Sequence, residues 1–258
     1  MGTTYKQKST EARRKVLEMI WKAKTSHVAS NFSAVDIAVV LYNNLKQGDE
    51  VVWSAGWKSA LIYFMLAQQG KIPKEDLEIF AKEENGVIKY LGLAETTTPG
   101  VWVNGGSMGH GLPIAVGMAI GKKRANEPGT IYCIMSDGEM NEGTTWESAM
   151  LAQHHKLDNL VVIVDKNKWQ AMGETKDILD VNIAEAFRGF GFYVEKINGH
   201  HHSTINRTLH LVQLKPGGPV AIICSTKKGK GVSFMENQLL YHYKHVSDEE
   251  YEKALKEL

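Results

Sequence analysis

"TIYCIMSDGEMNEGTTWESAMLAQHHKLDNLVVIVDKNKW", residues 130–169, carries the alternation that decides the fold. Two short apolar runs, "TIYCIMS" and "NLVVIVD", flank the helix-patterned "EGTTWESAMLAQHHKL". Runs rich in Val and Ile with no alternating polar side are buried on both faces, as parallel strands covered by helices are. The first run stops at Ser136-Asp137-Gly138 and the second at Asp165-Lys166-Asn167. One crossover helix joins them, so Asp137 and Asn167 are expected on neighbouring strand ends, facing one crevice. Ligands of open parallel sheets sit beyond the carboxyl ends of the strands. A carboxylate plus an amide oxygen is a hard donor pair suited to Mg2+ or Ca2+. Taken singly, Asp-Gly reads as a turn and Asn as a strand terminator. Together in one βαβ unit they read as ligands.

Upstream, "GGSMGHG" (105–111) opens the helical "LPIAVGMAIG". Glycines let backbone N–H groups approach closely, and a helix N-terminus favours phosphate. Mg2+ takes few protein oxygens and completes its shell with phosphate and water. An incomplete metal site beside such a loop suggests a metal-bridged diphosphate. Further strands are expected at "DEVVWSAG", "FYVEKI" and "PVAIICST". Helices are expected over 10–24 behind a Ser-Thr cap, and at "SAVDIAVVLYNNL", "WKSALIYFMLAQQG", "IAEAFRGFG", "TINRTLHLVQLK" and "SDEEYEKALKEL", with a short helical piece at "PKEDLEIFAKE". Strands alternating with helices give a doubly wound, mostly parallel α/β sheet. No linker or repeat divides residues 1–258, which read as one domain with an irregular 71–104 insertion and a C-terminal tail.

The bulk composition excludes several classes. Lys and Arg total 30 against 29 Asp and Glu, which leaves no footprint for nucleic acid or an anionic membrane. No apolar run reaches membrane-spanning length, and the charged N-terminus lacks a signal core, so a cytoplasmic protein is expected. Cys133 and Cys224 lie in strand-like runs and read as buried thiols.

"SDGEMNEGTTWESAMLAQHHKLDNLVVIVDKNKWQAMG" resembles the thiamine diphosphate motif of transketolases, with "GGSMGHGLPIAVGMAIG" upstream and "STKKGKGVSFMEN" downstream. "KTSHVASNFSAVDIAVVLY" looks like the family's Ser-Gly-His segment. The resemblance spans nearly the whole chain. It implies the diphosphate-binding fold, with thiamine diphosphate and Mg2+ (or Ca2+) as cofactors. Asp137, Asn167 and the Trp169 carbonyl would be the metal ligands. Gly56, Gly109, His110, Gly138 and Glu139 would join Asp137 and Asn167 around the cofactor. His27 and His242 would be the catalytic pair that handles protons at the substrate. Glu142 and Glu147 match acidic positions near the family's subunit interface. "GHHHS" (199–203), on composition a metal tract, matches a structural loop; adjacent histidines point apart and rarely share one metal.

Two departures stand out. Where the family has Ser-x-Gly-His, this chain has Ser54-Ala55-Gly56-Trp57, and the Gly-His-Pro before "TPGV" is replaced in "YLGLAETTTPGV". A Trp is a single donor and no base. The standard pentose-phosphate substrates are therefore in question, with a related sugar, an altered acceptor or reduced activity in their place. Lys58 is expected to be a solvated lysine. The family's activating Glu comes from a second domain for which 258 residues leave no room. The chain therefore reads as the first subunit of a split transketolase, working in an α2β2 assembly with a C-terminal partner, on sugar phosphates. Competing readings are the α-subunit of a 2-oxo acid dehydrogenase, a non-catalytic subunit that only holds the cofactor, and a deoxyxylulose-phosphate synthase-like enzyme. "KGKGVSFMEN" and the glycine loop favour the transketolase side over the first, and length argues against the last.

Overall fold

The computed structural model describes residues 4–212, 214 and 217–258. In chain order its strands are β1 (Glu50–Trp53), β2 (Glu83–Glu84), β3 (Val87–Ile88), β4 (Ile131–Ser136), β5 (Leu160–Lys166), β6 (Tyr193–Asn198) and β7 (Val220–Ser225). Five of them form one sheet in the order β1-β4-β5-β7-β6, every neighbouring pair parallel. The five expected strands and the α/β architecture are those observed. β2 and β3 pair as a small antiparallel hairpin inside the 71–104 stretch.

The helices are α1 (Tyr5–Ala23), α2 (Val28–Tyr42), α3 (Ser59–Gln68), α4 (Gly111–Ala125), α5 (Gly143–His154), α6 (Thr175–Ile178), α7 (Ile183–Gly189), α8 (His202–Val212) and α9 (Asp248–Glu257). Successive strand residues feed two cores because side chains alternate across a sheet. Tyr132 and Ile134 of β4 pack with α1, α2, α3 and α8, while Ile131, Cys133 and Met135 pack with α4, α5 and α7. Burying each Val, Ile or Leu on these faces contributes roughly 1.5–3 kcal/mol. All 15 residues of α2 are buried, which explains its lack of a polar face.

Several boundaries differ from expectation. α1 starts at Tyr5, where Thr4 and Gln7 form a capping box, so Ser9 lies inside the helix and not at its cap. α2 starts at Val28, five residues before "SAVDIAVV", because the whole segment 28–42 is packed between other helices. "PKEDLEIFAKE" forms only a 3-10 turn over Glu75–Ile79. The end of the helix expected over 204–215 lies partly outside the described residues. Among the described residues no helix is long and apolar enough to cross a membrane. Parallel pairing puts all five strand C-termini on one edge, where the loops after β1, β4, β5 and β7 converge.

Candidate active site

The register pairs Ser136 with Asp165, so Asp137 and Asn167 leave adjacent strands side by side. Asp137 is 1% exposed. Its carboxylate accepts the backbone N–H of Lys168 at 2.6 Å and its own neighbour Gly138 N–H at 3.1 Å, with the Thr175 hydroxyl at 3.5 Å. Lys168 adopts φ 71°, the left-handed turn that aims this N–H. No ammonium or guanidinium is bonded to Asp137 among the described contacts. Burial, then the nearby Asp165 charge, pushes its pKa up to about 7. Asn167 is 4% exposed; its Nδ2 faces Asp165 and Ser33, and its Oδ1 accepts the Trp169 N–H at 3.0 Å.

The glycine loop is held by Glu139, which lies beneath the site and is fully buried. Its carboxylate accepts Ser136 N–H at 2.8 Å, Gly109 N–H at 3.2 Å and the Ser54 hydroxyl, whose oxygen accepts Gly111 N–H at 3.0 Å. One carboxylate thus ties β1, β4 and the start of α4 together. Gly109 has φ +75°, and a Cβ there would stand 2.6 Å from Glu142 Cβ. Gly56 meets another loop, since a Cβ there would stand 2.4 Å from Gly105 Cα. His110, at the start of α4, is exposed, as is Glu147; Glu142 is half-buried at the start of α5.

Two lysines are wholly buried behind the strand ends. Lys58, expected in solvent, is 0% exposed and spends its donors on Ser30 O at 2.6 Å, Asp165 Oδ2 at 2.8 Å and Ser33 Oγ at 3.5 Å. The turn after β1 points it inward, where Asp165 needs a counter-charge. Burial alone would raise the Asp165 pKa; the Lys58 ammonium, with Ser33 and Thr226 hydroxyls, outweighs that and holds it below the ordinary value. Lys228 Nζ lies 2.8 Å from His242 Nδ1. Burial and the Lys58 charge bring Lys228 down to about 8, so it is still charged at pH 7 and donates. His242 Nδ1 therefore accepts and its proton resides on Nε2.

His27 and His242 meet edge to face, centroids 4.9 Å apart. The backbone joins them too, His27 N–H donating to the His242 carbonyl at 3.2 Å. His27 Nδ1 is 2.7 Å from Ser26 Oγ. Burial, then the Lys228 charge, lowers His27 to about 4 and His242 to about 3, so both rings are neutral at pH 7. Both rim a cavity of about 360 Å³ that Trp57, Leu93, Asn167 and Trp169 also line. Of the residues singled out in the sequence, His27, His242, Gly138, Asn167 and Trp169 reach its wall, whereas Asp137, which sits between the lining Ser136 and Gly138, and Gly56, Gly109, His110 and Glu139 are not among its lining residues.

The family described as "Transketolase, thiamine diphosphate binding domain" matches residues 5–258. This chain belongs to the transketolase family. An apulose-4-phosphate transketolase subunit of Actinobacillus succinogenes is 34% identical over 264 residues, covering 98% of this chain and 95% of that protein. A 6-deoxy-6-sulfo-D-fructose transketolase subunit of a Clostridium species is 32% identical and covers 95% and 93%. The crystal structure of Campylobacter jejuni transketolase, 30% identical, superposes with a TM-score of 0.91 over 99% of this chain but only 43% of that one. The chain thus spans less than half of that longer transketolase and nearly all of the two subunit-sized relatives.

As a transketolase-family domain, the chain has strand ends that fit a metal-bound diphosphate. Asp137 is a buried carboxylate short of positive charge, and the available donors are hard oxygens. Among the described residues no three His, Cys, Asp or Glu stand close enough to hold a metal alone, so phosphate oxygens would have to complete the shell. Sequence reasoning missed a second buried network in this transketolase-family fold. Arg13 donates to both oxygens of Asp36, at 3.1 and 2.7 Å, and to Lys230 O at 2.9 Å. His200 Nδ1 and His202 Nε2 lie 2.8 and 2.9 Å from the same carboxylate, and His200 Nε2 accepts Lys227 N–H. The "GHHHS" run therefore anchors the loop that carries Lys228. The signal was available: Asp36 is a lone charge in the apolar "SAVDIAVV", and a buried charge needs partners.

Proposed function

We propose that this chain is the first subunit of a two-chain transketolase. It would move a two-carbon ketol unit from a ketose phosphate to an aldose acceptor, with thiamine diphosphate and Mg2+ held here and a C-terminal partner supplying the activating Glu in an α2β2 assembly. Two things support the reading: relatives named as transketolase subunits match this chain almost end to end, and Asp137 carries it. A buried carboxylate with only neutral donors, beside an amide oxygen at the strand edge, calls for a divalent cation.

Asp137, Asn167 Oδ1 and the Trp169 carbonyl would hold Mg2+, with Glu139 keeping the Gly109 loop in place from below. When bound, the cofactor supplies the nucleophilic carbon and electron sink for breaking and forming the bond beside the ketose carbonyl. The chain's own work is binding, orientation and proton handling. Neutral His27 and His242 line the cavity, where their imidazoles would accept or return protons at substrate hydroxyls. Lys228 fixes the His242 tautomer. Lys58 keeps Asp165 ionised, which orients the Asn167 amide.

Titration calorimetry of the complex with its partner tests this. Thiamine diphosphate is expected to bind only with Mg2+ present, and ketol transfer to an aldose is expected to follow. Binding unaffected by chelator would sink the metal assignment.

A further inference from the structure

The two buried lysines behind the strand ends are bonded in different ways. Lys58 gives its donors to three oxygens. Lys228 has one side-chain partner among the described contacts, and it is a nitrogen, His242 Nδ1 at 2.8 Å. Both ends of that bond are held by the fold. Gly229 N–H donates to Ala29 O and Asn237 N–H to Lys228 O, each at 2.9 Å, and Lys227 N–H reaches His200 Nε2 at 2.8 Å. Gly229 has φ +75°, and a Cβ there would stand 2.4 Å from Met235 O, so this loop has little room to shift. On the other side the Tyr241 hydroxyl donates to Glu250 Oε1 at 2.7 Å, in the capping box of α9, and His27 N–H holds the His242 carbonyl.

His242 lines the cavity, and its second nitrogen, Nε2, has no partner among the described contacts. Nε2–H is thus the proton left for a substrate oxygen. His27 differs, because its Nδ1 meets the Ser26 hydroxyl and no ammonium is bonded to it. An imidazole that moves protons needs a place to keep them. His242 cannot keep a second one at pH 7, since burial and then the Lys228 charge disfavour the imidazolium. Lys228 can release one, since burial and the Lys58 charge bring it down to about 8.

We propose that Lys228 is the proton store of His242, a positioning residue that works through the ring and does not itself touch the substrate. This rests on the ketol-transferase reading and deepens it. In donation the Nε2–H bond breaks as an O–H bond forms on a substrate oxygen, while Nζ–H breaks and Nδ1–H forms. The ring stays neutral and Lys228 is left as an amine. When a substrate hydroxyl gives up its proton, the same four bonds reverse and the ammonium is restored. Each half of a ketol transfer needs both directions, because one oxygen gains a proton and another loses one. No net proton, electron or co-reactant is required.

The test uses the complex with its partner, Mg2+ and thiamine diphosphate, with ketose phosphates as donors and glycolaldehyde as acceptor. Lys228→Arg and Lys228→Gln each keep a donor for Nδ1 but cannot release its proton. Both are expected to keep the Nε2–H tautomer of His242 in 15N NMR, yet to lose roughly 100-fold or more in kcat, within the range of general acid–base catalysis. A variant that keeps both the tautomer and the parent kcat overturns the inference. In the parent complex kcat/KM is expected to fall as pH rises through about 8, with the same midpoint as the 15N titration of Nδ1. Lys58, Asp137 and Asp165 face the ammonium and His27 faces the ring, so that midpoint belongs to the cluster. Lys228→Arg is expected to abolish the fall. Midpoints that differ, or a fall that persists in Lys228→Arg, overturn the inference whatever tautomer the variants adopt. Loss of thiamine diphosphate binding in Lys228→Arg that matches its loss of turnover makes Lys228 a cofactor contact, and also overturns it. Absence of transfer by the parent from every donor sinks the ketol-transferase reading and takes this inference with it.

Discussion

Among the buried carboxylates of this molecule, Asp36 and Asp137 keep opposite company. Asp36, behind the sheet, has an arginine on both oxygens and two imidazoles beside them. Those partners outweigh burial and drive its pKa far below the ordinary range. Asp137, at the strand edge, has only neutral donors, and burial with the Asp165 charge lifts it to about 7. The first region is complete by itself and serves the fold. The second has no cationic partner among the described contacts, and that lack is what the proposed metal role rests on.

The largest expected effect breaks the first region. Arg13→Met leaves Asp36 buried without its strongest partner, and urea unfolding should show a loss of about 3–5 kcal/mol. Asp137→Asn should instead leave stability within about 1 kcal/mol of the parent or above it, because an unpaired buried charge is removed. The same change should weaken Mg2+-dependent thiamine diphosphate binding by more than the roughly 10- to 100-fold that loss of an outer partner brings. A loss of stability in Asp137→Asn matching that in Arg13→Met would erase the contrast.

The pH dependence should carry opposite signs. The folded pKa of Asp137 is raised, so its contribution to stability is fully present below about 4, the ordinary carboxyl value, and is lost as pH rises through about 7. Metal-free protein should lose about 2–3 kcal/mol from this group between pH 5 and 8, and Mg2+ should cancel that slope by binding the ionised form. Asp36 has a depressed folded pKa, so its contribution is present above about 4 and fades only as the solution becomes more acidic. Thermal unfolding followed from pH 8 down to below pH 4, with and without Mg2+, reads both. The smallest effect concerns the rim. Lys228→Met removes a neighbouring charge from His242, whose pKa of about 3 should rise by about one unit in an NMR titration. No movement would mean that burial alone sets it.

The parallel strands were legible because each is a short apolar run ended by a polar turn, and the Asp137–Asn167 pair because one crossover separates their strands. Lys58 and the Asp36 network were not legible in the same way. Lys58 follows Trp57 with no sign of which way the turn after β1 points it, and its partner Asp165 is 107 positions away. Arg13, Asp36, His200 and His202 come from three helical regions that meet only when α1, α2 and α8 pack on one face. Trp57 and the segment holding Leu93 were each visible as departures, but nothing in the linear order brings them to one cavity; the Gly56–Ala94–Gly105 backbone bonds join their segments.

Local and periodic features follow from residue order alone. The alternation of apolar runs with helical stretches gives the α/β layers, the turn after each run puts polar donors at one edge, and the motif gives the family. The tertiary structure alone decided charge and neighbourhood. Which carboxylate finds a cation and which imidazole nitrogen keeps its proton depend on groups distant along the chain meeting where water is excluded. There an unpaired charge is far more unfavourable than in solvent, and the identity of each neighbour sets the chemistry.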